Sequence, residues 1–146
     1  DNQTRMNLAK KLGADVVLGK DDDIVQSILS HTNNQGVDNS CEFSGSPNAL
    51  SNTIYSTRMG GYVNVLSVYG KRLTEVPMND IVFRYLHVKG INGRKMWSTW
   101  DKMHELLSAG KIDIDTLVTH RMSYLEYPQG IELAMSGDCG KVVVDF

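Results

Sequence analysis

Two hydrophobic periods alternate along this chain, and that alternation restricts the fold more than any other feature. Met6, Leu8, Ala9 and Leu12 recur at helical spacing, Gly13 can close that helix in a left-handed cap, and the run ADVVLG at 14–19 then reads as a buried strand. The pattern repeats at once. DDDIVQSILSHT puts Asp21, Asp22 and Asp23 where a helix dipole favours acids, with Ile24, Val25, Ile28 and Leu29 on one face. GVDNSCEFSG is the next strand. Ser46 and Pro47 then read as N-cap and first helical residue, and Ala49, Leu50, Thr53 and Ile54 carry a helix as far as Gly60 and Gly61. YVNVLSVYG is a strand, PMNDIVFRY a short helix, and LHVKGING a strand in which Leu86, Val88 and Ile91 suit burial.

The remainder keeps the alternation. Met96, Trp100, Met103 and Leu107 fall at helical spacing with Gly110 as the stop, a pattern that suits core or domain contact better than an aromatic-thioether cofactor box. TLVTHRMSY is a strand candidate, YPQGIELAMSG a helix with Pro128 near its start, and KVVVDF a closing strand. Strands and helices in turn, joined by short connections, predict an α/β fold: a doubly wound parallel sheet with helices on both faces. Ligands of such sheets bind beyond the carboxyl ends of the strands. The turns FSGSP, LSVYG and GINGR are therefore the places to look, although tight turns alone account for most glycines in any α/β protein.

Composition removes several function classes. A chain of 146 residues with 41% hydrophobic and 22% charged residues suits one globular domain. A formal charge of -2 with interspersed signs offers no basic stripe for nucleic acid and no polybasic patch for a membrane surface. No apolar run reaches the roughly 18 residues of a membrane span, and no signal peptide opens the chain, so a cytoplasmic location is expected. Cys41 and Cys139 stand far apart and read as reduced thiols, Cys41 buried in a strand and Cys139 in a turn. His31, His87, His104 and His120 sit on different elements without ligand spacing, which leaves them as surface or packing residues. The Asp21–Asp23 run needs no cation to explain it, because a helix start suffices.

A longer match carries function. The stretch KGINGRKMWSTWDKMHELLSAGKIDIDTLVTHRMSYLEYPQGIELAMSGDCGKVVVDF, with GR-x-M-x-x-TW-x-KM as its most specific run, resembles the zinc-containing medium-chain dehydrogenase/reductase family, and within it the L-threonine 3-dehydrogenases. R-x-x-LAKKLGA is similar to the helix after that family's second cofactor-domain strand, CEFSGSP to the loop after the fourth, and GGYVNVLSV to the fifth strand. The resemblance implies a Rossmann-like domain in which residues 1–146 form the C-terminal part of a larger NAD-dependent dehydrogenase. The first two strands and the G-x-G-x-x-G turn would precede Asp1, and the zinc centre would belong to an absent catalytic domain. The acid that holds the adenosine ribose would stand just before Asp1, which is at best a poor substitute for it.

The resemblance also assigns residues. It implies that Arg5 lies beside the adenosine ribose, that Leu66, Ser67 and Val68 pass the nicotinamide ribose and pyrophosphate, and that Ile91 and Asn92 close over the nicotinamide. Ser67 stands where the family usually has Gly, and Asn92 where it usually has Tyr. No catalytic and no metal-ligating residue is expected in this chain, so the isolated chain should be inactive. The implied substrate is a small molecule, L-threonine or a related alcohol, and His120 falls in a strand that helps build the family's subunit interface, which implies a homo-oligomer. Another alcohol or polyol dehydrogenase, or a non-catalytic oligomerisation or interaction module, is the alternative. In the family's strand order, ADVVLG and VDNSCEFSG are separated by two strands absent here. ADVVLG should therefore pair with its neighbour directly, rearrange, or be covered by association.

Overall fold

The computed structural model describes residues 2–70 and 74–146. In chain order the elements are α1 (Gln3–Lys11), α2 (Ile24–His31), β1 (Val37–Glu42), α3 (Pro47–Ser56), β2 (Thr57–Val65), α4 (Met78–Phe83) and β3 (His87–Gly90). There follow α5 (Ser98–Ser108), α6 (Ile114–Leu117), β4 (Val118–Ser123), a single 3-10 turn at Tyr124–Glu126, α7 (Tyr127–Ser136) and β5 (Lys141–Asp145). The chain divides into two compact units, residues 21–93 and residues 1–20 with 94–146.

Residues 21–93 form a three-stranded parallel sheet in the order β1-β2-β3. Local chemistry starts each helix. The Asp23 carboxylate accepts from the Gln26 N–H at 3.0 Å and caps α2, while Ser46 takes an extended N-cap conformation and Pro47 supplies the first turn of α3. Helix α3 links the parallel strands β1 and β2 and packs on both, burying Leu50 and Ile54 against Val63 and Leu86. Ile54 and Val63 are wholly buried. Arg84, following α4, donates to the carbonyls of Ile54 at 3.1 Å and of Thr57, so a cation meets the carbonyls at the C-terminus of α3.

The helix expected to run to Gly60 and Gly61 stops at Ser56. Both glycines instead belong to a bulged start of β2, where pairing jumps from Val37↔Thr57 to Asn39↔Tyr62. Gly60 takes φ +69, and a Cβ on Gly61 would meet Thr57 Cγ2 at 2.5 Å and the Asp38 carbonyl oxygen at 3.0 Å. The site needs a residue without a side chain.

In the other unit, β4 and β5 pair in parallel as a separate two-stranded sheet, joined through α7. Pro128 lies in the first turn of α7, and Gly137 ends the helix in the left-handed conformation at φ +82. Asn2 caps α1 by accepting from the Arg5 N–H at 3.0 Å and donates to Asp138 at 2.6 Å, which ties the helix start to the turn before β5.

The α/β class with parallel strands is as expected, but several details differ. ADVVLG forms no strand. A strand persists only where its N–H and C=O groups find a ladder, and among the described residues no other strand pairs with this segment. The strands also divide between two sheets rather than one. In β3 all the residues are exposed, because it is an edge strand whose faces are left uncovered; of the three expected to be buried there, only Leu86 is, with Ile91 half-buried. Helix α5 likewise buries none of its residues, so Met96, Trp100 and Met103 are surface groups in this chain, with the Arg94 guanidinium 4.9 Å over the Trp100 ring. Cys139 lies in the turn before β5 as expected, but Cys41 is not buried. Cys41 lies in β1 with its thiol exposed, while Cys139 is buried and donates to the Leu133 carbonyl at 3.6 Å.

Candidate functional site: the carboxyl edge of the three-stranded sheet

The loops that leave β1, β2 and β3 emerge at one edge, because all these strands run the same way. Main-chain bonds continue the ladder into the loops. Leu66 N–H donates to the Glu42 carbonyl at 3.0 Å and Ile91 N–H to the Val65 carbonyl at 2.9 Å. Five of the residues singled out in the sequence, Leu66, Ser67, Val68, Ile91 and Asn92, thus share this edge. Val68 is 89% exposed and Leu66 is exposed beside it, so the edge carries apolar surface open to a ligand. Among the described residues, the N–H groups of Val68 and Asn92 have no acceptor. That combination, a bare apolar wall with free main-chain donors, suits a flat ring attached to a ribose and phosphates.

Arg5 is not part of this unit. It belongs to the other unit, is exposed, and donates from Nε to the Cys139 carbonyl at 3.2 Å beside a shallow depression lined by Asn2, Met6 and Ala9. Asp1 lies outside the described residues.

The most constrained group at the edge was not among the residues expected from sequence. Glu42, the last residue of β1, is 2% exposed, yet its carboxylate is fully engaged. Oε1 accepts from the Ser44 N–H at 2.7 Å, the Ser44 hydroxyl at 2.6 Å and the Gly45 N–H at 3.1 Å. Oε2 accepts from the Tyr69 hydroxyl at 2.7 Å and from the Ser67 hydroxyl. Burial by itself pushes the Glu42 carboxyl up; the hydrogen bonds from Ser44, Ser67 and Tyr69 outweigh it and hold the group at about 2 against an ordinary 4.5. Burial raises the Tyr69 phenol, the Ser67 hydrogen bond opposes that, and the bond to the negative charge on Glu42 reinforces it.

Two consequences follow for the loop after β2. Among the described residues Ser67 is not at positive φ, so its side chain carries no left-handed backbone strain. Gly45, at φ +74, lets the first loop press on the second, since a Cβ there would meet the Val68 carbonyl oxygen at 2.6 Å. The only sequence signal for this cluster is an acid closing a strand immediately before a Ser-Gly turn. Its hydroxyl partners Ser67 and Tyr69 are remote in the chain.

Among the described residues no three His, Cys, Asp or Glu side chains gather closely enough to hold an ion. His31 Nδ1 meets the Ser27 carbonyl at 2.8 Å, His87 stacks on Tyr62 with ring centroids 4.5 Å apart, and His120 Nδ1 lies 2.9 Å from the Thr119 hydroxyl. Among the described residues no helix is long and apolar enough to cross a membrane.

The sequence pattern of zinc-binding dehydrogenases matches residues 1–109. The chain belongs to that family. It is 40% identical over 144 residues to an L-threonine 3-dehydrogenase of Bacillus licheniformis, covering 98% of this chain and 42% of that protein. An L-threonine 3-dehydrogenase of Pyrococcus furiosus is 38% identical, with 97% and 41% covered. Among solved structures, 2R,3R-butanediol dehydrogenase from Bacillus subtilis superposes with a TM-score of 0.86 at 29% identity, over 98% of this chain and 41% of that one. A zinc-binding dehydrogenase from Sinorhizobium meliloti bound to NADP gives 0.85 at 26% identity, over 98% and 42%. The chain therefore spans about two fifths of the length of these relatives. Its parallel α/β architecture matches the C-terminal Rossmann portion of medium-chain dehydrogenases.

Proposed function

We propose that residues 1–146 are part of the NAD-binding domain of a zinc-dependent oxidoreductase, and that the protein carrying them oxidises L-threonine with NAD to 2-amino-3-oxobutanoate and NADH. The observation that carries the substrate is identity: 40% to an L-threonine 3-dehydrogenase over nearly the whole chain, against 29% to the butanediol enzyme. The dinucleotide is supported by the exposed wall of Leu66 and Val68 and by the free N–H groups of Val68 and Asn92 at the carboxyl edge. Bound there, NAD would accept a hydride at its nicotinamide. Leu66, Ser67, Val68, Ile91 and Asn92 would hold that ring and its ribose, excluding water from one face. Arg5 is proposed as a contact of the adenosine ribose, through its guanidinium donors.

These residues offer no set of zinc ligands, so the role assigned to them is confined to binding and orienting the dinucleotide. We place the protein in the cytoplasm as a homo-oligomer, in line with the family resemblance of its closing strands. Steady-state kinetics of the protein carrying this chain, with L-threonine, 2,3-butanediol and a polyol under NAD and under NADP, test the proposal. The expected result is the highest kcat/KM for L-threonine with NAD. A preference for butanediol or a polyol overturns the substrate, and activity with neither dinucleotide overturns the cofactor.

A further inference from the structure

The Glu42 carboxylate is buried, and among the described residues no cation pairs with it, in a sheet whose other buried groups are apolar or hydroxyl. Nothing in the packing of the core calls for it: Leu50, Ile54, Val63 and Leu86 make up that core without the carboxylate. What the carboxylate does is join loops. One oxygen gathers the turn after β1 through Ser44 and Gly45, and the other gathers the loop after β2 through the hydroxyls of Ser67 and Tyr69. Between the two donors of that second loop stands Val68, the exposed residue of the apolar wall.

We propose that Glu42 is a positioning residue of the dinucleotide site, acting through Ser67 and Tyr69 to hold the 66–69 loop in its binding shape before the dinucleotide arrives. The proposal rests on the reading of this edge as the nicotinamide side of the cofactor site. Leu66 and Val68 project from a loop pinned on both sides of Val68, so binding does not have to order it. Ser67 acquires a reason here: its hydroxyl is one of the two side-chain donors that the loop contributes. Glu42 itself meets the loops and has no assigned contact with the ligand, so its influence is indirect.

The test uses the protein carrying this chain in its full length. Ser67→Ala, Tyr69→Phe and the double variant remove the donors of the loop while leaving Ser44 and Gly45 to satisfy the carboxylate. Affinity is read by fluorescence titration with NADH and NADPH, alongside KM for dinucleotide and the unfolding midpoint. Loss of a hydrogen bond to a charged group should raise the dinucleotide Kd and KM about tenfold in the double variant, and Tyr69→Phe alone, at a residue with no assigned contact to the ligand, should raise them in the same direction. Ser67→Thr, which keeps the hydroxyl, should restore most of the affinity of Ser67→Ala. A purely structural role would lower the unfolding midpoint and leave the dinucleotide Kd of the folded protein unmoved, and that result overturns the proposal. If the parent protein binds neither dinucleotide, the cofactor-site reading fails and the proposal falls with it. If the parent binds and the variants bind equally well, the proposal alone fails.

Discussion

Acid should weaken this fold through the Glu42 carboxyl. The Glu42 carboxyl is held at about 2 rather than 4.5, which corresponds to about 3 kcal/mol of preference for the ionised form in the folded chain. Because the folded value lies below the unfolded one, that stability is fully present above the ordinary carboxyl value of 4.5 and is lost as pH falls toward 2. By pH 3 more than half of it, about 2 kcal/mol, should be gone. Glu42→Gln isolates the contribution, since glutamine has the shape of the protonated acid and cannot ionise. Denaturant titrations of parent and variant at matched pH should show the parent more stable by about 3 kcal/mol at pH 7, with the gap closing steadily below pH 4.5. A gap that stays constant from pH 7 to pH 3, or one that is missing at pH 7, would refute the account of why this acid is buried.

Other perturbations act on separate parts of the structure. Gly45→Ala places a Cβ 2.6 Å from the Val68 carbonyl at a φ of +74, and should cost about 1–3 kcal/mol and weaken dinucleotide binding, read by thermal unfolding and titration. Ile54→Ala truncates a wholly buried side chain of the sheet unit and should cost about 2–5 kcal/mol in denaturant unfolding, with no specific effect on the carboxyl edge. In the native chain a thiol reagent should modify Cys41 promptly and Cys139 only after denaturant is added, read by mass spectrometry of the labelled peptides. Labelling in the opposite order would contradict the burial described.

What the sequence made legible was what lies within a few residues. Asp23 ahead of its helix, Ser46 with Pro47, and Pro128 at the start of α7 all announce themselves by local backbone chemistry, and they stand where expected. Parallel strands followed from the alternation, since short crossovers leave little other choice. The misses depend on remote neighbours. Val16 and Val17 have strand propensity, but only a pairing partner makes a strand, and none is present among the described residues. Cys41 is exposed where burial was expected, because accessibility is decided by what packs on a residue rather than by its place in a strand. Glu42 is the sharpest case: Ser44 and Gly45 are visible beside it in the sequence, whereas Ser67 and Tyr69 come 25 and 27 residues later and reach it only once β1 and β2 lie in register. The five residues assigned to the carboxyl edge were found through family likeness, and spacing alone could not have separated them from ordinary turn residues.

The central claim is that this edge holds the nicotinamide end of a dinucleotide. Backbone amide spectra of the protein carrying this chain, recorded while NAD is added, test it most directly. The account predicts saturable shifts centred on residues 66–68 and 91–92. Saturable shifts that leave those five amides in place, or no binding at millimolar NAD and NADP, would contradict it.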